Sequence, residues 1–165
     1  MGIAPAMFGV IVSAMGASRL LSNIPMAVFA ERLGRKPVMV MGWAGTAVSM
    51  AMIGSAYSVL ALIAGRFLGG VCTSAQNTGA QMYLTDISNM QNRARTFAPI
   101  MAAWSAGAAV GPAIGGLLTE YFGFRVAFGF CGVIIAGTAT VNYFLLPETQ
   151  SEEMRQKAQE QSIAA

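Results

Sequence analysis

The sequence predicts an all-α, polytopic membrane helical bundle, and three observations support that fold class. The 165-residue chain is 55% hydrophobic and only 10% charged, whereas soluble domains are about a quarter charged. The charges leave four uncharged stretches, 37–65, 67–85, 96–119 and 126–147. Each is about as long as the 20 or so apolar residues that cross a bilayer. A chain of this length cannot bury so many apolar helices in a soluble core.

Five spans are expected in order along a transmembrane domain of residues 1–147. Pro37 opens the second span, because proline suits the first turn of a helix, where its missing N–H would be unpaired anyway. A short turn at 119–125 separates the last two spans, and a polar cytoplasmic tail occupies 148–165. The five spans lie at about 4–30, 37–54, 59–84, 97–118 and 126–146.

Basic residues collect on one side of the membrane in this arrangement, with only Arg125 on the other side. Because Lys and Arg accumulate in cytoplasmic loops, we expect these loops and the C-terminus in the cytoplasm, in a plasma or inner membrane. The N-terminus is then outside, and the abrupt start at the membrane predicts a truncated chain. The basic residues are Arg32, Arg35, Lys36, Arg93, Arg95, Arg155 and Lys157.

Several classes of function lack the side chains that they need. The chain has no histidine, and no acidic residue lies deep in a predicted span. Cys72 and Cys131 lie inside spans, where lone thiols are usually small apolar fillers. Basic residues flank the spans, which argues against nucleic acid as a partner. We therefore expect no enzyme activity, no cofactor and no metal site, and the lipid bilayer as a partner.

Two charges inside the predicted spans are the strongest functional signals. A charged side chain at the bilayer centre costs about 2.5–3.5 kcal/mol or more. Arg66 lies near the start of its span and can snorkel to the interface, whereas Arg19 lies nearer mid-span. For both arginines we favour a cavity or a helix interface over snorkelling or pairing with a helix carbonyl.

Polar residues continue the helix faces on which these arginines lie. At about 100° per residue, Thr73, Asn77 and Gln81 share a narrow face with Arg66, and Asn23 shares one with Arg19. Polar stripes in lipid either join helices or line a watery path. The positive charge favours a path for anionic or polar solutes. The candidate path residues are Arg19, Asn23, Arg66, Thr73, Asn77 and Gln81.

The fourth predicted span carries glycines at a spacing of four. Gly107, Gly111 and Gly115, with Gly116 beside them, make a flat face that lets another helix approach closely. Pro112 lacks an N–H, so a bend is expected there. Ordinary membrane packing stays open as an explanation, but these residues favour a bent, close-packed interface.

Residues 27–37, AVFAERLGRKP, resemble the signature loop of the major facilitator superfamily, Gly-x-Leu-Ala-Asp-Arg-x-Gly-Arg-Lys. The matching residues are Ala30, Arg32, Gly34, Arg35 and Lys36, while Ala27, Phe29 and Glu31 stand in the places of Gly, Leu and Asp.

Three further motifs are similar to later parts of the same family. RFLGG (66–70) resembles the Arg-x-x-x-Gly of the fourth helix, and Asp86 matches the acidic residue that ends it. GAAVGPAIGG (107–116) matches the antiporter motif of the fifth helix, and FLLPET (144–149) resembles the end of the sixth. The resemblance implies helices two to six of an N-terminal half, with the first helix and the C-terminal half of a parent chain missing.

The resemblance also implies a conformational latch at the cytoplasmic loops. Glu31 would face a helix N-terminus of the other half, where a carboxylate is stabilised. Arg35 would pair with Asp86, and Gly34 would permit a tight turn. Topology signalling by the basic residues alone stays open as an alternative. The latch candidates are Glu31, Arg32, Gly34, Arg35, Lys36 and Asp86.

The implied function is a secondary active transporter, or a fragment of one, that moves a small organic solute by alternating access. Proton-coupled antiport is one form, but the spans offer no titratable group at depth. Coupling would then lie in the missing parts, or the parent would be a uniporter or symporter. The alternative is a truncated, non-transporting protein that acts only by association with other membrane proteins. Specificity for organic anions, led by arginine, is a further possibility.

Overall fold

The computed structural model describes residues 5–149, and these residues form four helices and no strand. Most of the predicted polar tail, including Arg155 and Lys157, lies outside the described residues. All four helices are long and apolar enough to cross a membrane, which confirms the all-α membrane bundle. The helices are α1 (Pro5–Leu33), α2 (Arg35–Gly54), α3 (Val59–Asp86) and α4 (Arg93–Leu145).

Helix α4 has 53 residues and is interrupted at Gly123. A straight helix of that length would measure about 80 Å at 1.5 Å per residue, far more than the hydrocarbon thickness of about 30 Å. Gly123 has φ 81° and ψ 160°, a conformation that glycine adopts without a Cβ penalty. It divides α4 into a first segment (93–122) and a second segment (124–145). The structure therefore has one non-helical residue where the sequence predicted a turn over 119–125.

Glycines bring the backbones of α2 and α3 into close approach. A Cβ on Gly42 would lie 2.5 Å from the backbone nitrogen of Gln76, and one on Gly79 would lie 3.2 Å from the carbonyl oxygen of Arg35. On the α1 side, a Cβ on Gly70 would lie 2.6 Å from the carbonyl oxygen of Met15. Small residues allow this proximity between helices in lipid, so α3 packs tightly on both α1 and α2.

Buried hydroxyl groups bond across the same interfaces. Ser49 Oγ donates to the carbonyl oxygen of Gly65, 2.7 Å away, and joins α2 to α3. Ser74 Oγ donates to the carbonyl oxygen of Arg19, 3.2 Å away, and joins α3 to α1. Such bonds contribute about 0.6 kcal/mol each on average in membranes. They fix the rotation of α3 about its axis.

The two segments of α4 differ in how they pack. The second segment lies against α2, where Cβ atoms on Gly54 and Gly132 would approach Phe128 Cβ at 3.2 Å and the carbonyl oxygen of Ala47 at 3.5 Å. No residue of the first segment is buried among the described residues. The first segment instead forms one wall of two cavities. Helices α1 and α3 complete one of them, and Arg66 of α3 and the second segment of α4 complete the other.

Candidate functional site

A cavity of about 570 Å³ lies between α1, α3 and the first segment of α4. Its polar lining comes from α1 and α3, and its apolar lining comes mainly from α4. The polar lining residues are Arg19, Asn23, Asn77, Thr78 and Gln81, and the α4 residues are Phe97, Ile100, Met101 and Trp104.

Arg19 is the middle residue of α1 (Pro5–Leu33) and is half-buried. Because Arg19 is about 14 residues from either end of α1, at 1.5 Å per residue its side chain is too short to reach either end of the helix. Asn23 follows one helical turn later, and Asn77 and Gln81 are one turn apart on α3. The spacing of four residues on each helix brings all four side chains to the same cavity.

The four polar side chains Arg19, Asn23, Asn77 and Gln81 make no hydrogen bond or ion pair with any residue in 5–149. Side chains that join helices bond to the neighbouring helix, as Ser49 and Ser74 do. Within residues 5–149 these four side chains therefore take no part in interhelical bonding, and their polar groups line the cavity.

Arg66 and Thr73, which the sequence placed on the same stripe, lie elsewhere. Arg66 lines a second cavity of about 840 Å³ together with Glu120 from the first segment of α4. Thr73 Oγ1 donates to the carbonyl oxygen of Gly69, 2.6 Å away on its own helix. The predicted stripe on α3 therefore does not line one path. Asn77 and Gln81 line the first cavity, Arg66 lines the second, and Thr73 bonds within its own helix.

The glycines of the fourth predicted span have an open face. A Cβ built on Gly107, Gly111, Gly115 or Gly116 would meet no atom within 4 Å. Pro112 lies within a helical run of α4, and it lines the second cavity with Gly115 and Gly116. No helix of the described part of the chain packs on this face, so its role in helix packing stays a prediction.

A second site is a polar cluster of Arg35, Asp86 and Glu148 that links the end of α1, the start of α2, the end of α3 and the residues that follow α4. Arg35 Nε bonds Asp86 Oδ2 at 3.0 Å, which links the start of α2 to the end of α3. Arg35 Nη1 donates to the carbonyl oxygen of Ala30, 3.1 Å away in α1. The ion pair implied by the family resemblance is therefore present in the structure.

Glu148 supplies the fourth link, which sequence reasoning missed. Its two carboxylate oxygens accept the backbone N–H groups of Arg35 at 3.1 Å and Lys36 at 3.2 Å. These are the first N–H groups of α2, which have no partner within the helix and carry its positive dipole end. Thr149 Oγ1 adds a bond of 3.3 Å to Asp86 Oδ2. The FLLPET motif pointed to this region, but no local pattern showed where Glu148 binds.

The remaining latch candidates surround this cluster. Gly34 separates α1 from α2 with φ 108°, a left-handed conformation that favours glycine. Lys36 Nζ lies 5.2 Å from the ring centroid of Tyr143, within the range of a cation–π contact. Glu31 and Arg32 are exposed in the last turn of α1, where a cation such as Arg32 is favoured by the helix dipole.

Comparison with known proteins agrees with this arrangement. The chain is 28% identical to Multidrug resistance protein 2 of Bacillus subtilis (strain 168), over 94% of this chain and 38% of that protein. It is 27% identical to the Tetracycline resistance protein, class C, of Escherichia coli, over 90% of this chain and 37% of that protein. The chain therefore spans less than two fifths of the length of either relative. The model of the Major Facilitator Superfamily matches residues 1–165, and the chain belongs to that family.

Proposed function

We propose that this chain is part of a secondary transporter that moves a small organic solute across a membrane by alternating access. The observation that carries the proposal is the first cavity, where four polar side chains from two helices long enough to span a membrane lack a protein partner in residues 5–149. Polar groups of this kind mark solute pathways in membrane proteins. The relatives that are named for multidrug and tetracycline resistance are consistent with such a role.

The cluster around Arg35 is proposed to act as the conformational latch. Its bonds tie the ends of α1, α2, α3 and α4 within this chain. They would hold the turn at Gly34 in one shape and so present the exposed Glu31 to a helix N-terminus of a second six-helix half. Opening on this side would require the cluster to move as a unit or to break.

The lining of the first cavity has no carboxylate that could couple transport to protons. Every acidic residue between 5 and 149 lies at or near a helix end: Glu31, Asp86, Glu120 and Glu148. None of them lines the first cavity. Proton-coupled antiport therefore stays a proposal that depends on Glu120 in the second cavity or on residues of the rest of a longer protein.

Thiol labelling at position 77 tests whether the first cavity is an aqueous path. The variant Asn77→Cys is prepared with Cys72→Ala and Cys131→Ala, and is treated in proteoliposomes with a membrane-impermeant maleimide. We expect residue 77 to react about tenfold faster than a thiol in an apolar helix interface, because water reaches only the polar wall.

The native Cys72 is the matched control, in a chain that carries Cys131→Ala alone. The sulfur of Cys72 would overlap a Cβ built on Gly45, so this side chain packs closely against α2. Cys72 also lines an apolar groove between α1, α2 and α3. Equal, slow reaction at both positions would show that the polar wall is packed against protein. That result would favour the alternative of a non-transporting membrane protein.

A further inference from the structure

The lining of the first cavity has a positive charge and no negative one. Arg19 is the charged residue in the lining, and no Asp or Glu contributes to it. A guanidinium group stays charged in proteins, and an isolated charge at membrane depth is unfavourable unless a counter-charge accompanies it. Within residues 5–149 no carboxylate pairs with Arg19.

The second cavity provides an internal comparison. Arg66 lines it together with Glu120, so that lining holds one charge of each sign. A solute that enters the second cavity meets no net charge, whereas a solute that enters the first cavity meets a single cation. The two cavities therefore favour ligands of different charge: the first favours an anion, and the second favours a ligand with no net charge.

The neutral polar groups of the first cavity are suited to an oxyanion. The side chains of Asn23, Asn77 and Gln81 each carry an NH₂ group that donates hydrogen bonds. They come from two helices, α1 and α3, and lie beside the Arg19 charge in one lining. Hydrogen bonds to a charged acceptor are about twice as strong as those between neutral groups.

The opposite wall is apolar and partly aromatic. Phe97, Ile100, Met101 and Trp104 recur at the spacing of one helix face along the first segment of α4. Trp104 is 68% exposed, so its ring is available for contact with a ligand. Flat apolar groups stack well on such rings.

We infer that the solute of the first cavity is an amphiphilic organic anion, with a carboxylate, sulfonate or phosphonate group on Arg19 and an aromatic or flat apolar body against Trp104. This inference rests on the proposed function and names its substrate class. It goes beyond the arginine-led possibility raised by the sequence, because it assigns the charge to Arg19 and excludes Arg66, which shares its cavity with Glu120.

Three probes with the same ring body and different charge test this inference. They are 2-naphthoate, 2-naphthamide and 2-naphthylmethylammonium, and the binding of each is followed by the change in tryptophan fluorescence. The chain has two tryptophans, so Trp43→Phe leaves Trp104 as the reporter in nanodiscs of zwitterionic lipid. We expect the dissociation constant of naphthoate to be about tenfold lower than that of either other probe, because a single well-placed charge contact is worth at least that factor.

Variants of the two arginines locate the charge. Arg19→Gln should abolish the preference for naphthoate, Arg19→Lys should keep part of it, and Arg66→Gln should leave it unchanged. Naphthamide or naphthylmethylammonium binding as tightly as naphthoate in the chain with native arginines would overturn the inference, and this comparison needs no arginine variant to fold. Loss of the preference in Arg66→Gln rather than in Arg19→Gln would also overturn it.

The labelling experiment at residue 77 keeps the two proposals distinguishable, because it uses no naphthyl probe. Rapid labelling without a preference for naphthoate would leave the solute path in place and overturn the anionic substrate class. A preference for naphthoate with slow labelling would support a closed anion-binding pocket and contradict the transport path.

Discussion

Arg35 contacts α1, α3 and the segment that follows α4, and each contact uses a different part of the residue. Its Nε bonds Asp86, its Nη1 bonds the carbonyl of Ala30, and its backbone N–H bonds Glu148. The side chains of Arg35 and Asp86 are only 11% and 25% exposed. The pair is therefore only partly screened by water, and removing one partner takes away the ion-pair partner of the other charge.

Charge reversal tests whether the Arg35–Asp86 pair is part of a latch. In a transporter that contains this chain, Arg35→Asp or Asp86→Arg alone should lower solute flux in proteoliposomes by about tenfold, corresponding to about 1.4 kcal/mol. The double reversal should recover flux to within about threefold of the starting value, because the pair is rebuilt with opposite polarity.

A second double variant separates the latch from topology signalling. Arg35→Asp combined with Asn89→Arg restores the number of basic residues on this side, since Asn89 is exposed in the loop after α3, but it does not rebuild the pair. Recovery of flux in that variant would support topology signalling alone and contradict the latch.

Single residues of the cluster differ in how far sequence could identify them. Arg35, Asp86 and Gly34 belong to motifs that resemble a known family, so their contacts could be anticipated. Glu148 lies 113 residues from Arg35 in the chain. Its binding to the start of α2 depends on how α4 returns to that end of the bundle, and no local pattern contains that information.

At the scale of elements, α3 has faces with distinct roles. Gly65 and Gly79 approach α2, Gly70 approaches α1, and Asn77 and Gln81 line the first cavity. Because α3 packs closely on α1 and α2, its rotation is fixed, and the face with Asn77 and Gln81 is directed to the first cavity. The geometry of the polar wall therefore depends on glycines that never touch a solute.

Alanine substitutions at two glycines should have opposite effects on stability. In Gly42→Ala the new methyl group would lie 2.5 Å from the backbone of Gln76, and such overpacking costs about 1–3 kcal/mol. Gly107→Ala meets no atom within 4 Å and should gain up to about 1 kcal/mol from helix propensity. Thermal unfolding in detergent should show a lower Tm for Gly42→Ala and an equal or higher one for Gly107→Ala. A lower Tm for Gly107→Ala would reveal a packing partner for that face.

Helix periodicity predicted the spans better than it predicted their contacts. The existence of α1, α2 and α3 followed from apolar length, and the glycine spacing of GAAVGPAIGG suggested a packed face. Within residues 5–149 the close-packed glycines are at other positions, such as Gly42, Gly70 and Gly79, and packing on the GAAVGPAIGG face stays a prediction. Spacing shows that residues share a face, but it does not show which neighbour covers that face.

At the scale of the whole molecule, the two ends of the bundle are chemically different. One end holds the cluster of Arg35 and Asp86 and the loop before Arg93. The other end holds Arg125, whose Nη1 donates to Tyr57 OH at 3.1 Å. This asymmetry of basic residues supports the proposed orientation, with the Arg35 end in the cytoplasm.

Cysteines in the two exposed loops test that orientation. Met90 is 95% exposed in the loop between α3 and α4, and Ser55 is exposed in the turn between α2 and α3. With both native cysteines replaced by alanine, an impermeant maleimide should label Ser55→Cys in intact cells and Met90→Cys only after permeabilisation. Labelling of Met90→Cys in intact cells would reverse the proposed topology.

The fold class and the family could be read from the sequence, but the cavity could not be assembled from it. Arg19, Asn23, Asn77 and Gln81 were identified as polar residues on two helices. In the sequence Trp104 and Phe97 resemble ordinary span residues, but in the structure they line the wall opposite these polar side chains. Where the first segment of α4 lies relative to α1 depends on long-range packing and on the break at Gly123.

The single-residue break at Gly123 has a consequence for how this molecule meets its surroundings. Together with the four-residue connection between α2 and α3, it makes the two connections that lie near Arg125 short, one at residues 55–58 and one at Gly123. A protease or an antibody that approaches these connections finds few non-helical residues to bind. In the proposed orientation these two connections face the cell exterior, so both would be poor epitopes and poor cleavage targets.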